Sequence, residues 1–491
     1  MLQLLESKKT LWWFLTAHFF VWLSLGLFLD IQPDMADHWG WSRHLSFSYY
    51  EHPPLSPVIQ RLITAIAGNH ILTLKIGSVL FTVLILFTAY QVARVYFGRK
   101  TATMFLLILE TTPYFSMGSV YWHIDEPYML AWLLGLYSMG KFAQTRNEKW
   151  ILLFGVCAGF GALAKYITLL FYISLFAWAL WDRRARYLLF RWETYVAGII
   201  SLTIFSPVLY WNATHEWASF KWQFGRGLSG RAFGEMLPIF TISHLALFSL
   251  ILSTSAWATL ISGKLVKRKM ELTESLLLAT ALIPVLFFSI ASLPGTVADP
   301  VWVNTGYFGL FLLFAQWMVR KLENNQVKFV YTSLGAAYLF NALIVIIAVL
   351  HILFRILPVP LELDNSRNLM GWETTADQIM EVMDKNNIPE PGFVVSREFQ
   401  VAGVLALYLP FHPYSHTIEK VLRNQWSPVE KVREQGALLF CPPEKCKNIV
   451  NEAQKRFGAP LSYVDRIQTN KGKKLLRDFN IYWLKPSKKI K

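Results

Sequence analysis

Long apolar runs repeat along this chain up to about residue 356, and they constrain its fold more than any other feature. About eleven lie near 11–29, 72–96, 103–120, 127–144, 150–164, 167–181, 193–210, 239–262, 275–292, 301–319 and 328–356, most close to the roughly 18 residues that cross a bilayer. Lipid offers the backbone no hydrogen-bond partner, so each crossing segment must satisfy its own peptide groups, and a helix does this. The sequence therefore predicts an α-helical polytopic membrane protein. Composition agrees: 16% of the residues are charged, against roughly 25% in a soluble domain.

The net charge of +15 raises the question of nucleic acid, but the basic residues alternate with the apolar runs, which is how membrane topology is written. One set of loops is basic: Lys8 and Lys9, Arg99 and Lys100, Arg146 and Lys149, Arg183, Arg184 and Arg186, Lys264 with 267–269, and Arg320 with Lys321. The alternate set carries Asp34, Asp37, Glu51, His52, His123, Asp125, Lys165, His215, Glu216 and Asp299. The basic set belongs on the cytoplasmic side. The N-terminus is then cytoplasmic, and an odd number of spans leaves the C-terminal region outside. This count reads 150–181 as two short helices around Lys165. No small-residue cleavage site stands out after the first run, so no cleavable signal peptide is expected.

Residues 357–491 contain no span, so the expected domains are 1–356 in the membrane and 357–491 as a soluble unit. Helices are expected over 375–384, 400–409 and 446–457, and strands over 393–395, 437–440 and 479–484. Strands alternating with helices predict a small α/β domain. Cys441 and Cys446 lie close together there. In an oxidising compartment they form a small disulfide loop, and otherwise they are two thiols. Cys157, inside an apolar run, reads as packing.

Four outward segments carry chemistry. The first holds Asp34, Asp37 and His38, then Glu51, His52, Pro53 and Pro54. Carboxylates just above a membrane deprotonate a hydroxyl or hold a cation; an aromatic-rich surface loop is the alternative. The second is 123–127, where Asp125 opens a helix and serves either as a cap favoured by the helix dipole or as a site acid. The third is Ala164, Lys165 and Tyr166, where the lysine takes a protein carboxylate or a lipid phosphate, or snorkels to the headgroups. The fourth runs from Trp211 and Asn212 to Arg226 and Arg231. Its aromatics and cations suit an amphipathic helix on the membrane surface, and its cations also suit a phosphate.

These segments, in this order, resemble the bacterial members of the dolichyl-phosphate-mannose protein mannosyltransferase-like superfamily. These are C-type glycosyltransferases related to the lipid A aminoarabinose transferases. The resemblance runs through the Asp34 loop with His52, Pro53, Pro54 and Leu55, through Asp125, Glu126 and Pro127, through Leu163 to Tyr166, and through Pro207, Trp211 and Asn212. Val395 to Arg397 and Ala406 to Tyr408 resemble the C-terminal domain of longer members. The resemblance implies the C-type (GT-C) fold and transfer of a sugar, with inversion, from a polyprenyl phosphate to an extracytoplasmic acceptor. The likeness to bacterial members makes undecaprenyl phosphate the expected carrier, in a bacterial inner membrane. It further implies that Asp34 is the base or the group that positions the acceptor, with Asp37 as the alternative base, and that Asp125 is a second acid. Lys165 and the arginines after Trp217, Arg226 among them, would hold the donor phosphate. Glu51, His52, Tyr166 and Asn212 complete the expected substrate-binding set.

The chain departs from the family where Met35 follows Asp34, where His52 replaces a lysine, and where Gln223 to Gly225 stand in place of a Glu-His pair. A divalent cation and a lipid A acceptor are therefore both open, and the acceptor is a glycolipid, a glycan or a protein. The rival reading is a transporter or flippase of lipid-linked sugars. Transporters carry ionisable groups near the midplane, often within internal repeats. Here most acids lie in outward loops, no repeat is visible, and Glu110, the carboxylate deepest in a span, reads as a paired buried acid rather than a residue of the donor tunnel.

Overall fold

The computed structural model describes all residues except 1, 226–231, 266–269, 296–297, 361–363, 419–420, 425, 473 and 488–491. Among the described residues, sixteen α-helices precede the C-terminal region. In order they are α1 (Leu2–Glu6), α2 (Lys8–Leu27), α3 (Pro33–Ser42), α4 (Leu55–Ala67), α5 (Ile71–Phe97), α6 (Arg99–Glu110), α7 (Asp125–Thr145) and α8 (Lys149–Ala164). Then come α9 (Leu169–Trp181), α10 (Trp192–Thr214), α11 (Ala218–Gly225), α12 (Met236–Leu247), α13 (Leu250–Ile261), α14 (Leu272–Ala291), α15 (Asn304–Glu323) and α16 (Val327–Phe354).

Among the described residues α2, α5, α10, α14 and α16 are each long and apolar enough to cross a membrane, and the α12–α13 pair, bent by 111°, makes a sixth if it is one span. The other expected spans fall on α6, α7, α8, α9 and α15. α15 is less apolar because protein, not lipid, surrounds it: most of its residues are buried. It packs backbone to backbone on α14, where a Cβ at Gly309 would lie 2.4 Å from the Leu277 carbonyl. Small residues permit such close crossings.

Two expected spans need correction. The run 103–120 is not one helix. α6 ends at Glu110, where Thr111 and Thr112 turn their hydroxyls back onto the carbonyls of Ile108 and Leu109 (both 2.7 Å) and Pro113 has no N–H to continue the ladder. The run 239–262 breaks after Leu247, at Ser249 with φ +66°. The first outward loop is also not a loop throughout. Pro33 sits in the first turn of α3, and the Gln32 side chain caps it by accepting from the Met35 N–H at 2.9 Å. α4 follows with an apolar stripe.

The C-terminal region contains α17 (Trp372–Lys385), β1 (Phe393–Ser396), α18 (Phe399–Tyr408), β2 (Tyr414–Thr417), α19 (Val429–Gln435), β3 (Ala437–Cys441), α20 (Cys446–Phe457), β4 (Ser462–Lys471) and β5 (Lys474–Leu484). The sheet order is β2-β1-β3-β5-β4; β1 runs parallel to β2 and β3, and β5 antiparallel to β3 and β4. All six elements expected there are present, and α19, β2 and β4 are additional. Cys441 and Cys446 form a disulfide with Cα atoms 5.2 Å apart, and Cys157 is a buried free thiol.

This region does not stand apart. One apolar core joins Met35, Ala36 and Trp39 of α3 to Trp372, Ile379, Val404 and Leu405. Polar ties reinforce the join. The Ile31 N–H donates to the Tyr408 hydroxyl (3.0 Å), the Trp372 N–H donates to Asp30 (2.8 Å), and Arg43 donates to the carbonyls of His412 and Pro413 (both 2.8 Å).

Candidate active site

Asp34 and Asp37 are three residues apart on α3 and so share a face. Asp34 lies in the first turn, where the helix dipole favours a negative charge. It is half-buried and accepts from the Gln32 amide at 3.0 Å. Asp37 is buried and meets Arg423 Nη1 at 3.2 Å. Glu51, also buried, takes the other terminal nitrogen of Arg423. The guanidinium lies 3.3 Å from the ring centroid of Phe399, the first residue of α18. One cation from the C-terminal region thus balances two carboxylates from residues 34–51, and Asp34 remains the more exposed acid beside them. Burial raises the Asp37 carboxyl to about 7, Arg423 opposes this, and the neighbouring Asp34 adds to it.

A second centre is built on Asp125, the fully buried first residue of α7. Its Oδ1 accepts from Lys165 Nζ at 2.6 Å and from the Asn304 amide at 3.2 Å, and its Oδ2 accepts from His123 Nδ1 at 2.6 Å. Lys165 reaches this site because the chain is extended there, between α8 and a short 3-10 turn at Tyr166–Thr168. Of the partners the sequence left open for Lys165, the structure supplies the protein carboxylate. Burial works against a charged His123, but Asp125 outweighs it and lifts the imidazolium to about 9.

Histidines join the two centres. The His38 ring lies 6.1 Å from that of His123 and 6.3 Å from that of His52. His38 is buried, its Nδ1 has no hydrogen-bond partner among the described residues, and burial with the nearby His123 holds its pKa down to about 3. His52 also packs near Trp41 and Trp222, and Gln223 donates to the Glu51 carbonyl at 2.7 Å, so α11 closes over this side.

The remaining expected residues are placed as follows. The Tyr166 hydroxyl bonds Ser219 Oγ at 2.6 Å. Asn212 is buried and braces the turn from α10 into α11: its amide donates to the Val208 carbonyl at 3.0 Å and its oxygen accepts from the Phe220 N–H at 3.4 Å. Arg226 and Arg231 lie outside the described residues. No group of three or more His, Cys, Asp or Glu side chains able to hold a metal occurs among the described residues. Glu110 is paired, with His18 Nδ1 and Trp22 Nε1 each at 2.7 Å.

Arg423 and Asn304 were not legible as site residues. Arg423 lies 386 positions from Asp37, and no local pattern marks it. His38 did carry a signal, since it sits four residues after Asp34 on one helical face.

Residues 51–211 match the family described as dolichyl-phosphate-mannose-protein mannosyltransferase. No curated protein matches the chain. Among solved structures, ArnT from Cupriavidus metallidurans in the apo state is 14% identical with a TM-score of 0.62, covering 98% of this chain and 99% of that one. The same protein bound to undecaprenyl phosphate is 13% identical with a TM-score of 0.66 and the same coverage. The resemblance to the dolichyl-phosphate-mannose protein mannosyltransferase-like superfamily therefore holds: the family's match lies in residues 51–211, and the fold of ArnT extends over nearly the whole chain.

Proposed function

We propose that this protein is an inner-membrane glycosyltransferase that moves a sugar from undecaprenyl phosphate, or a closely similar polyprenyl phosphate, to an acceptor hydroxyl outside the cytoplasm. The observation that carries this reading is Asp34. It is an accessible carboxylate beside two others that share Arg423, on a fold whose relative ArnT has been crystallised with undecaprenyl phosphate. Residues 1–356 act as the membrane domain and 357–491 as an extracytoplasmic domain that completes the site.

In this reading the Asp34 carboxylate takes the proton of the acceptor hydroxyl. The hydroxyl oxygen attacks the anomeric carbon while the bond from that carbon to the phosphate oxygen breaks. Polyprenyl phosphate leaves with the electron pair, and the anomeric centre inverts. Arg423 engages Asp37 and Glu51, both buried, so Asp34 is the more exposed carboxylate left to meet an acceptor hydroxyl. Lys165, oriented by Asp125, and the cations after Trp217 oppose the charge that grows on the departing phosphate. The acceptor is a glycolipid such as lipid A, a glycan or a protein.

The test is purified protein in detergent, supplied with undecaprenyl phosphate sugars and a membrane extract as acceptor. Release of undecaprenyl phosphate, dependent on the acceptor, supports the reading. Binding of the carrier lipid without any release overturns it in favour of a flippase.

A further inference from the structure

Adjacent parallel strands β1 and β3 send the chain in opposite directions. β1 leads through α18 to β2 at one edge, and β3 leads through α20 towards β4 and β5 at the other. α18 packs on the sheet face that presents Val394 and Leu438, while α20 packs on the face that presents Phe393, Val395 and Leu439. Where connections diverge in this way, the carboxyl ends of the two strands leave a crevice, the usual ligand position in an open α/β sheet.

A crevice is present there, with a volume of about 420 Å³. Arg397 and Lys445 stand on opposite sides of it, from the loops after β1 and β3, and both are exposed. Ser396 at the end of β1 lines it. That serine is only 4% exposed, and its hydroxyl bonds to no described residue. α18 and α20, of 10 and 12 residues, both begin at the crevice without a side-chain cap, so their first-turn N–H groups are open to a ligand. Val401, Ile449 and Phe479 give it an apolar wall, and Glu398 adds one acceptor. The Cys441–Cys446 disulfide closes the segment that carries Lys445 and fixes that rim.

Two cations and two uncapped helix starts select an anion. A carboxylate acceptor and an apolar wall suit the hydroxyls and the C–H face of a sugar. We propose that this crevice binds a saccharide through its anionic group, a phosphate or a carboxylate. The wall it shares with the acid site is the first turn of α18, where Val401 lines the crevice and Phe399 lies under Arg423. The inference concerns binding alone and does not depend on the transferase reading.

The experiment titrates the full-length protein in detergent with glucose 1-phosphate, glucuronate, glucose and inorganic phosphate, by calorimetry. At least one of the two anionic sugars is expected to bind, glucose is not, and the stronger of the two identifies the preferred anion. The Arg397→Gln, Lys445→Gln double variant is expected to weaken binding at least tenfold, as is Val401→Trp, which fills the crevice, while Asp34→Asn leaves it unchanged. The inference is overturned if neither anionic sugar binds. It is also overturned if both crevice variants bind like wild type while melting normally, or if inorganic phosphate binds as tightly as the sugars.

Discussion

Arg423 is buried between Asp37 and Glu51, so its removal takes a buried cation away from two buried carboxylates. Stranding a buried charge costs on the order of 3–5 kcal/mol. Arg423→Gln is therefore expected to lower the thermal midpoint in detergent sharply, and Arg423→Lys, which keeps the charge but loses the fork, is expected to fall between. The same pair gives a pH dependence. Asp37 is raised to about 7 in the folded protein, from 3.8, so the folded state binds the extra proton between these values. Its contribution to stability is fully present below pH 3.8 and is lost as pH rises through 7. His38, held down to about 3, works in the opposite direction over an overlapping range. The difference in thermal midpoint between wild type and Asp37→Asn isolates the first effect: it should move in favour of Asp37→Asn as pH rises from about 4 to 7. Asp125 differs from Asp34 in that it already has three partners. Asp125→Asn is expected to destabilise the fold more than Asp34→Asn does, measured by the same melts.

α3 and α18 are the elements that assemble the site, and they meet at Gly403. A Cβ there would lie 3.2 Å from the backbone of Asp37. Gly403→Val is expected to push the helices apart at a cost of about 1–3 kcal/mol, read as a lower thermal midpoint, and to reduce turnover without altering any charged group. The long spans were legible because a bilayer demands continuous apolar runs. The helix breaks at Glu110 and Leu247 were not, because apolar residues continue past both and the stop is set by threonine hydroxyls, Pro113 and one left-handed serine. α3 was hidden by its polar composition, although Pro33 marks its first turn. α4 had a readable helical stripe in Leu55, Val58, Ile59, Leu62 and Ile66. β2 is too short to show a period, and β4 is largely exposed and polar. In the site, Asp34, Asp37, Glu51 and Lys165 could be found because ionisable residues at membrane level are conspicuous. Arg423 could not, because its role exists only once the C-terminal region has folded onto α3.

The whole molecule is a helical membrane body with an α/β layer packed onto α3. The ends of the chain's basic loops tie to one another, Lys100 to Glu6 and Glu323, Arg320 to Glu274 and Arg191 to Glu148, while the α/β layer meets the acidic set. With the basic side cytoplasmic, an alkaline phosphatase fused after residue 485 is expected to be active and a green fluorescent protein fused there to be dark; the reverse pattern contradicts this orientation. The account as a whole rests on Asp34 as the accessible base of a sugar transfer. The most direct measurement is turnover of an undecaprenyl phosphate sugar by wild type and Asp34→Asn, with binding of undecaprenyl phosphate measured in parallel. The account predicts that Asp34→Asn binds the lipid and melts like wild type but loses turnover by about 10²-fold or more. An Asp34→Asn protein that turns over normally, while Asp37→Asn is dead but folded, would contradict it.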